Sequence, residues 1–183
     1  GIHNAHIEAA KLAKTSYFYV VDGDAKVVQD FKFAHTAEER DTVHVYHSKN
    51  PVNDLTYGYG GIKLLPTTLT HNMDTTTTDM TTSISDKFKV IDEVSNITAF
   101  DTDAFSTWKS AFRECAKLSS KTINRQDEEE TNARLKTWTT YATGSYKRDA
   151  LRGANAGMQF GLSNSSDLNL INNFDWLRKE YEK

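Results

Sequence analysis

Apolar and polar positions follow two different periods along this chain. From Ile2 onward, Ile2, Ala5, Ala9, Leu12 and Ala13 recur near helical spacing with Glu8, Lys11 and Lys14 off that stripe, which predicts an alanine-rich helix suited to close packing on a sheet. Thr15-Ser16 breaks it. Tyr17-Phe18-Tyr19-Val20-Val21 follows as an unbroken aromatic and β-branched run, the composition of a covered strand. Val27 to Phe33 alternates imperfectly and predicts a further strand. Thr36 to Asp41 reads as a loop or a short helical turn. Thr42 to His47 alternates, with Val43, Val45 and His47 on one face and His44 and Tyr46 on the other, and predicts another strand.

Asn, Pro, Asp and Gly dominate residues 50–61, which predicts a loop. Gly60-Gly61 then leads into a short strand that ends at Pro66. The threonine-heavy stretch Thr67 to Ser83 has little to bury and is expected as a loop, either mobile over a site or plain surface. Lys87 to Val90 predicts a short strand. Beyond it the period changes to that of helices. Thr102-Asp103 stands where it can cap a helix running to about Ser120, with Phe105, Trp108, Phe112, Cys115 and Leu118 as its apolar stripe. The acids Asp127 to Glu130 favour the first turn of the next helix, which presents Leu135, Trp138 and Tyr141 and stops at Gly144. A shorter helix is expected over Tyr146 to Ala156, with Gly153 and Gly157 allowing close packing. A last one is expected from Ser166 to Tyr181. Strands with one helix, followed by a run of helices, give an α/β or α+β chain: a mixed sheet with a helical carboxyl-terminal cover. At 183 residues it is expected as a single domain, strand-rich over 1–95 and helical over 96–183.

Composition narrows the function classes. A net charge of −3 argues against a generally basic nucleic-acid binder. The lone Cys115 allows no intramolecular disulfide, and its place on an apolar stripe makes it a small buried hydrophobe rather than a nucleophile. No apolar run approaches the length of a membrane span, and no signal-peptide pattern is present, so a cytoplasmic location is expected. The chain enters its first helical pattern at Gly1, which reads as a fragment, a trimmed chain or a processed product.

The candidate chemistry lies at the end of the first predicted strand. Asp22-Gly23-Asp24 puts two carboxylates on one turn, where they repel unless a cation lies between them. Oxygen-only ligands suit Mg²⁺ or Mn²⁺, ions that keep waters and bind substrate phosphates beside a few carboxylates. Asp22 and Asp24 are therefore the candidate metal ligands, placed at the carboxyl end of a strand where open α/β sheets build their sites. Gly60 and Gly61 let backbone amides approach a ligand. Tyr57 and Tyr59 either stack on a sugar or base face or cover the edge of the core.

The order of helix, Tyr17-to-Val21 strand, Asp22-Gly23-Asp24, and a loop ending in Gly60-Gly61 before another strand resembles the carboxyl-terminal half of a GT-A type glycosyltransferase. Gly1-Ile2-His3-Asn4-Ala5 is similar to the helix start that precedes the Asp-x-Asp in family 2 enzymes. Tyr57 to Pro66 and Ser95 to Leu118 resemble uncharacterised glycosyltransferase-like proteins of tailed bacteriophages, which extends the expected location to an infected bacterial host. The resemblance covers roughly residues 1 to 66. It implies Mn²⁺ or Mg²⁺ on Asp24 and Asp22 bridging the diphosphate of a sugar nucleotide, and amides of Gly60 and Gly61 on the sugar. It also implies an acid that deprotonates the acceptor, for which Asp79 and Asp103 are the candidates, and a partner βαβ half that binds the nucleotide. Two other readings stand beside it. One is a non-catalytic carbohydrate-binding or assembly module of the same fold. The other is a phosphatase with Asp22 as nucleophile and Asp24 as acid/base.

Overall fold

The computed structural model describes residues 1–58, 60–77, 80–121, 127–165 and 167–183. Two compact units divide the chain: residues 1–49 with 56–98, and residues 50–55 with 99–183. The fold mixes helices with a mixed sheet, as the change of period predicts.

The first unit is a six-stranded sheet flanked by short helices. Helix α1 (Ile2–Leu12) leads into β1 (Tyr17–Val21), then β2 (Ala25–Val27), β3 (Val43–Lys49), β4 (Thr56–Tyr57), β5 (Ile62–Pro66) and β6 (Phe88–Thr98). The strand order is β1-β5-β3-β6-β2, with β4 off this path on β3. The β3–β6 pairing is parallel and the others are antiparallel. Val43, Val45 and Leu65 form one core with Met73, Met80 and Ile84, against which Ile7, Phe18, Val20 and Leu69 pack. Phe31, Tyr46, Ile62 and Leu64 form a second core with Tyr17 and Tyr19 beside it.

Several local expectations are corrected. Val27 to Phe33 is not a strand. Pairing stops at Val27, and Phe31 is drawn into the second core against Tyr46, so its apolar residues anchor a loop rather than mark a pleat. Thr67 to Ser83 is not plain loop. It holds α2 (Thr67–His71) and α3 (Met80–Ile84), because Met73, Met80 and Ile84 find a core to enter and outweigh the weak helix propensity of threonine. The strand expected over Lys87 to Val90 runs on to Thr98. Its second half is polar yet buried, with Ser95 and Asn96 fully covered. There the Asn96 Oδ1 accepts from Ser48 Oγ (2.8 Å) and Ser95 Oγ (2.9 Å), so hydrogen bonds replace the apolar signal.

The second unit is helical. It contains α4 (Ala104–Ser120), α5 (Glu128–Thr140), α6 (Lys147–Ser163), a 3-10 turn (Asn169–Asn172) and α7 (Phe174–Tyr181). α6 is longer than the Tyr146-to-Ala156 helix expected. The predicted Ser166-to-Tyr181 helix is broken at Asn173, whose side chain caps α7 by accepting from the Trp176 amide (3.0 Å). Trp108, Phe112, Ala116, Leu168, Ile171 and Leu177 make its core. α4 and α6 meet through glycine: a Cβ on Gly153, Gly157 or Gly161 would run into the backbone carbonyl of Trp108, Phe112 or Ala116 respectively. Both series ascend by four, so the helices run parallel at backbone contact. Residues 50–55 join this unit through the Thr143 amide, which donates to the Val52 carbonyl (2.7 Å).

Candidate functional site

Asp22, Gly60, Gly61 and Lys63 meet at one end of the sheet in the first unit. β1 and β5 pair antiparallel, with Val21 opposite Ile62, so the carboxyl end of β1 lies beside the entry of β5. The ladder continues one step further: the Asp22 amide donates to the Gly61 carbonyl at 2.9 Å. Ala25 N–H then closes the Asp22-Gly23-Asp24 turn on the Asp22 carbonyl at 3.0 Å. The Asp-x-Asp turn and the Gly-Gly pair, distant in sequence, are thus neighbours.

Lys63 is a residue the sequence reading passed over. It sits between Val20 on β1 and Val45 on β3, on the face of the first core, and is 3% exposed. Its ammonium donates to Asp22 Oδ1 at 2.8 Å, and the Asp22 side chain is 34% exposed. The signal was a single charge inside Ile62-Lys63-Leu64-Leu65, which a fully buried strand tolerates only with a counter-charge. The mutual repulsion expected of the two carboxylates is relieved here by a side chain of the protein. Asp24 is exposed.

His6 on α1 lies within electrostatic reach of Lys63 and Asp22. It is 6% exposed. Its Nδ1–H donates to the Ile2 carbonyl (2.9 Å), which leaves Nε2 buried with no hydrogen-bond partner. Burial, then Lys63, holds its pKa below the usual histidine value.

The glycines have separate local causes. Gly60 adopts φ +83°, a conformation side chains rarely take, and its open flank lies beside the Lys63 stem. At Gly61 a Cβ would stand 2.6 Å from Asn96 Nδ2, so the buried amide of β6 requires a glycine there. Asn96 Nδ2 has no hydrogen-bond partner. Tyr57 on β4 is buried, 4% exposed. Tyr59 and Asp79 lie outside the described residues.

Asp103 belongs to the second unit and is the N-cap of α4. Its carboxylate accepts from the Ser106 amide at 2.9 Å, and hydrogen bonds from Ser106, hydroxyl and amide, hold its pKa below the usual value. In this structure the carboxylate serves as the cap of the helix. His44 faces away from Lys63, since it pairs with Leu64 on the alternate side of β5. His47 Nδ1 lies 3.4 Å from Asp92, and His71 is exposed at the end of α2.

A divalent ion implied by the resemblance has a poor fit to these groups as they stand. Among the described residues, no three His, Cys, Asp or Glu side chains gather in a set able to hold a metal ion. Asp22 is committed to Lys63, which leaves Asp24 as the one unneutralised carboxylate of the pair.

A cleft of about 460 Å³ opens at the other end of the sheet, where β3 and β6 begin. Thr42, His44, Glu39, Lys87 and Lys89 line it. Tyr17, at the start of β1, ties two of these lining residues together: its hydroxyl accepts from the Thr42 amide (3.0 Å) and donates to the Glu39 carbonyl (2.6 Å). Lys87, one of its lining cations, pairs with Asp41 at 3.0 Å. The chemistry-bearing convergence is at Asp22.

No family model, curated protein or solved structure matches the chain. Among the described residues, no helix is long and apolar enough to cross a membrane.

Proposed function

We propose that the chain serves a glycosyltransferase of GT-A type, contributing the end of the site that receives the diphosphate and sugar of a sugar-nucleotide donor. The observation that carries this reading is the Asp22 amide on the Gly61 carbonyl, which sets the Asp-x-Asp turn beside Gly60-Gly61 at one sheet end. In this reading the amides of Gly60 and Gly61, both buried in the ligand-free chain, would contact the sugar, and Asp24 is exposed at the turn. Asp22 is already neutralised by Lys63, so in this reading Mn²⁺ or Mg²⁺ finds Asp24 as its open carboxylate at the turn. The outer edge of β1 pairs with no strand among the described residues, and a βαβ half, from the same protein or a partner, would add its strands there. The acceptor in this reading is a hydroxyl compound; the acidic net charge disfavours nucleic acid.

A second reading is a non-catalytic carbohydrate-binding or assembly module. It is favoured by the pairing of Asp22 with Lys63 and by the use of Asp103 as a helix cap. A panel of UDP- and GDP-sugars separates the two. Nucleotide release that is lost in Asp24→Asn supports transfer. Binding without release supports the module. Neither binding nor release overturns both.

A further inference from the structure

A leucine at position 63 would fit between Val20 and Val45 as well as its neighbours Leu64 and Leu65 fit their own places, yet the chain puts an ammonium there. That ammonium is aimed at the carboxylate nearest the Gly60-Gly61 turn, 2.8 Å away. The stem is covered, so the charge stays fixed at this end of the sheet instead of swinging into solvent. We propose that Lys63 is the resident cation of this site: by holding Asp22 Oδ1 it sets how strongly Asp22 and Asp24 take up a divalent ion, and it keeps that affinity low in the ligand-free protein. The proposal rests on reading this end of the sheet as the donor-phosphate site.

The argument is electrostatic. A divalent ion gains most when it lies between two unneutralised carboxylates. Beside Asp22 it meets either an ammonium that stays and repels it, or one that must give up its acid partner inside an apolar layer of valines. Both outcomes weaken the ion. Asp24 alone, exposed at the turn, supplies one ligand and leaves the rest of the shell to water.

Titration of the whole chain with Mn²⁺, with the free aquo ion followed by electron paramagnetic resonance, tests this without any turnover. Lys63→Met should bind Mn²⁺ at least tenfold more tightly than the wild type, and the added Asp22→Asn should cancel the gain. Lys63→Gln serves equally if the methionine variant does not fold. In the wild-type background, Asp22→Asn should change Mn²⁺ affinity less than threefold, since that carboxylate is already occupied. Equal or weaker binding by Lys63→Met or Lys63→Gln overturns the proposal, as does a tenfold loss in Asp22→Asn alone. Sugar-nucleotide turnover with Mn²⁺ affinity unchanged on removing Lys63 refutes the lysine's role alone. Tighter Mn²⁺ binding with no sugar-nucleotide binding by any variant refutes the donor-site reading and leaves the lysine's role standing.

Discussion

Gly157 of α6 rests against the backbone carbonyl of Phe112 in α4, with no room between them for a Cβ. The contact repeats one turn earlier and one turn later, so neither helix can shift to relieve a side chain at the middle position. Gly157→Ala is expected to destabilise the protein by about 2–3 kcal/mol, the upper range for overpacking a filled site. Urea unfolding measures it. Gly23→Ala is the matched control: a Cβ there meets nothing within 4 Å, and a change within about 0.5 kcal/mol is expected. Equal losses in the two would show that α4 and α6 do not touch at backbone distance.

Asp22 and Asp24 should separate in stability as they do in environment. Asp22→Ala strands a buried ammonium and should cost roughly 3 kcal/mol, the low end for breaking a buried pair because Asp22 is itself part-exposed. Asp24→Ala removes an exposed turn carboxylate and should cost no more than about 0.5 kcal/mol. Denaturant melts of the two variants decide it. A reversed order would mean that Asp24 holds the lysine.

Asp103→Ala should cost about 1 kcal/mol through loss of the α4 cap. Because Ser106 holds the carboxyl below its ordinary 3.8, the ionised form favours the folded state. The contribution is therefore complete above 3.8 and disappears as pH falls below it. The wild type and Asp103→Ala should converge in stability on acidification through that range. Asp103→Asn keeps an acceptor for the Ser106 amide and should restore most of the loss at neutral pH. A loss of turnover in Asp103→Asn with stability intact would support Asp103 as a catalytic candidate.

His6 and His44 should make the fold sensitive to mild acid. Burial lowers the pKa of both, with Lys63 acting further on His6 and the neighbouring His35 on His44. The unfolded chain then binds more protons than the folded one as pH falls below the ordinary value of 6.5, so stability is full above it and declines below. The urea midpoint should drop between pH 7.5 and 5, and His44→Gln should flatten part of that drop. A midpoint unchanged across this range would show that both rings accept protons in place.

The sequence made the helical half readable because each helix carries its own signal. Phe105, Trp108 and Phe112 mark the stripe of α4, and Asp103 and Asp127 cap by side chains that bond amides three residues on. In the sheet half, β1 and β5 were legible from their apolar runs. β6 was legible only at its start, because its buried end is Ser95 and Asn96, whose burial is stabilised by Ser48 on a strand distant in sequence. The site was legible in part for the same reason. Asp22, Gly60 and Gly61 announced themselves by residue type, but Lys63 acquires meaning only when β5 is laid against β1. A charge in an apolar run identifies a missing partner without naming it.

The position of β3 at the centre of the sheet has a kinetic consequence. It is hydrogen-bonded to β4, β5 and β6, and its pairings with β4 and β5 close the shortest loops in the sheet. β1 must wait for β5, and β2 for β6, each across a much longer separation, and loop-closure entropy rises with that length. β3 with β4 and β5 laid along it is therefore the expected folding nucleus, with the strand that leads into Asp22 added late. Val45→Ala should slow folding, whereas Val20→Ala should chiefly speed unfolding. The Asp22–Lys63 ion pair would then form after the rate-limiting barrier, and conditions that weaken it would shorten the lifetime of the folded chain and leave its rate of formation unchanged.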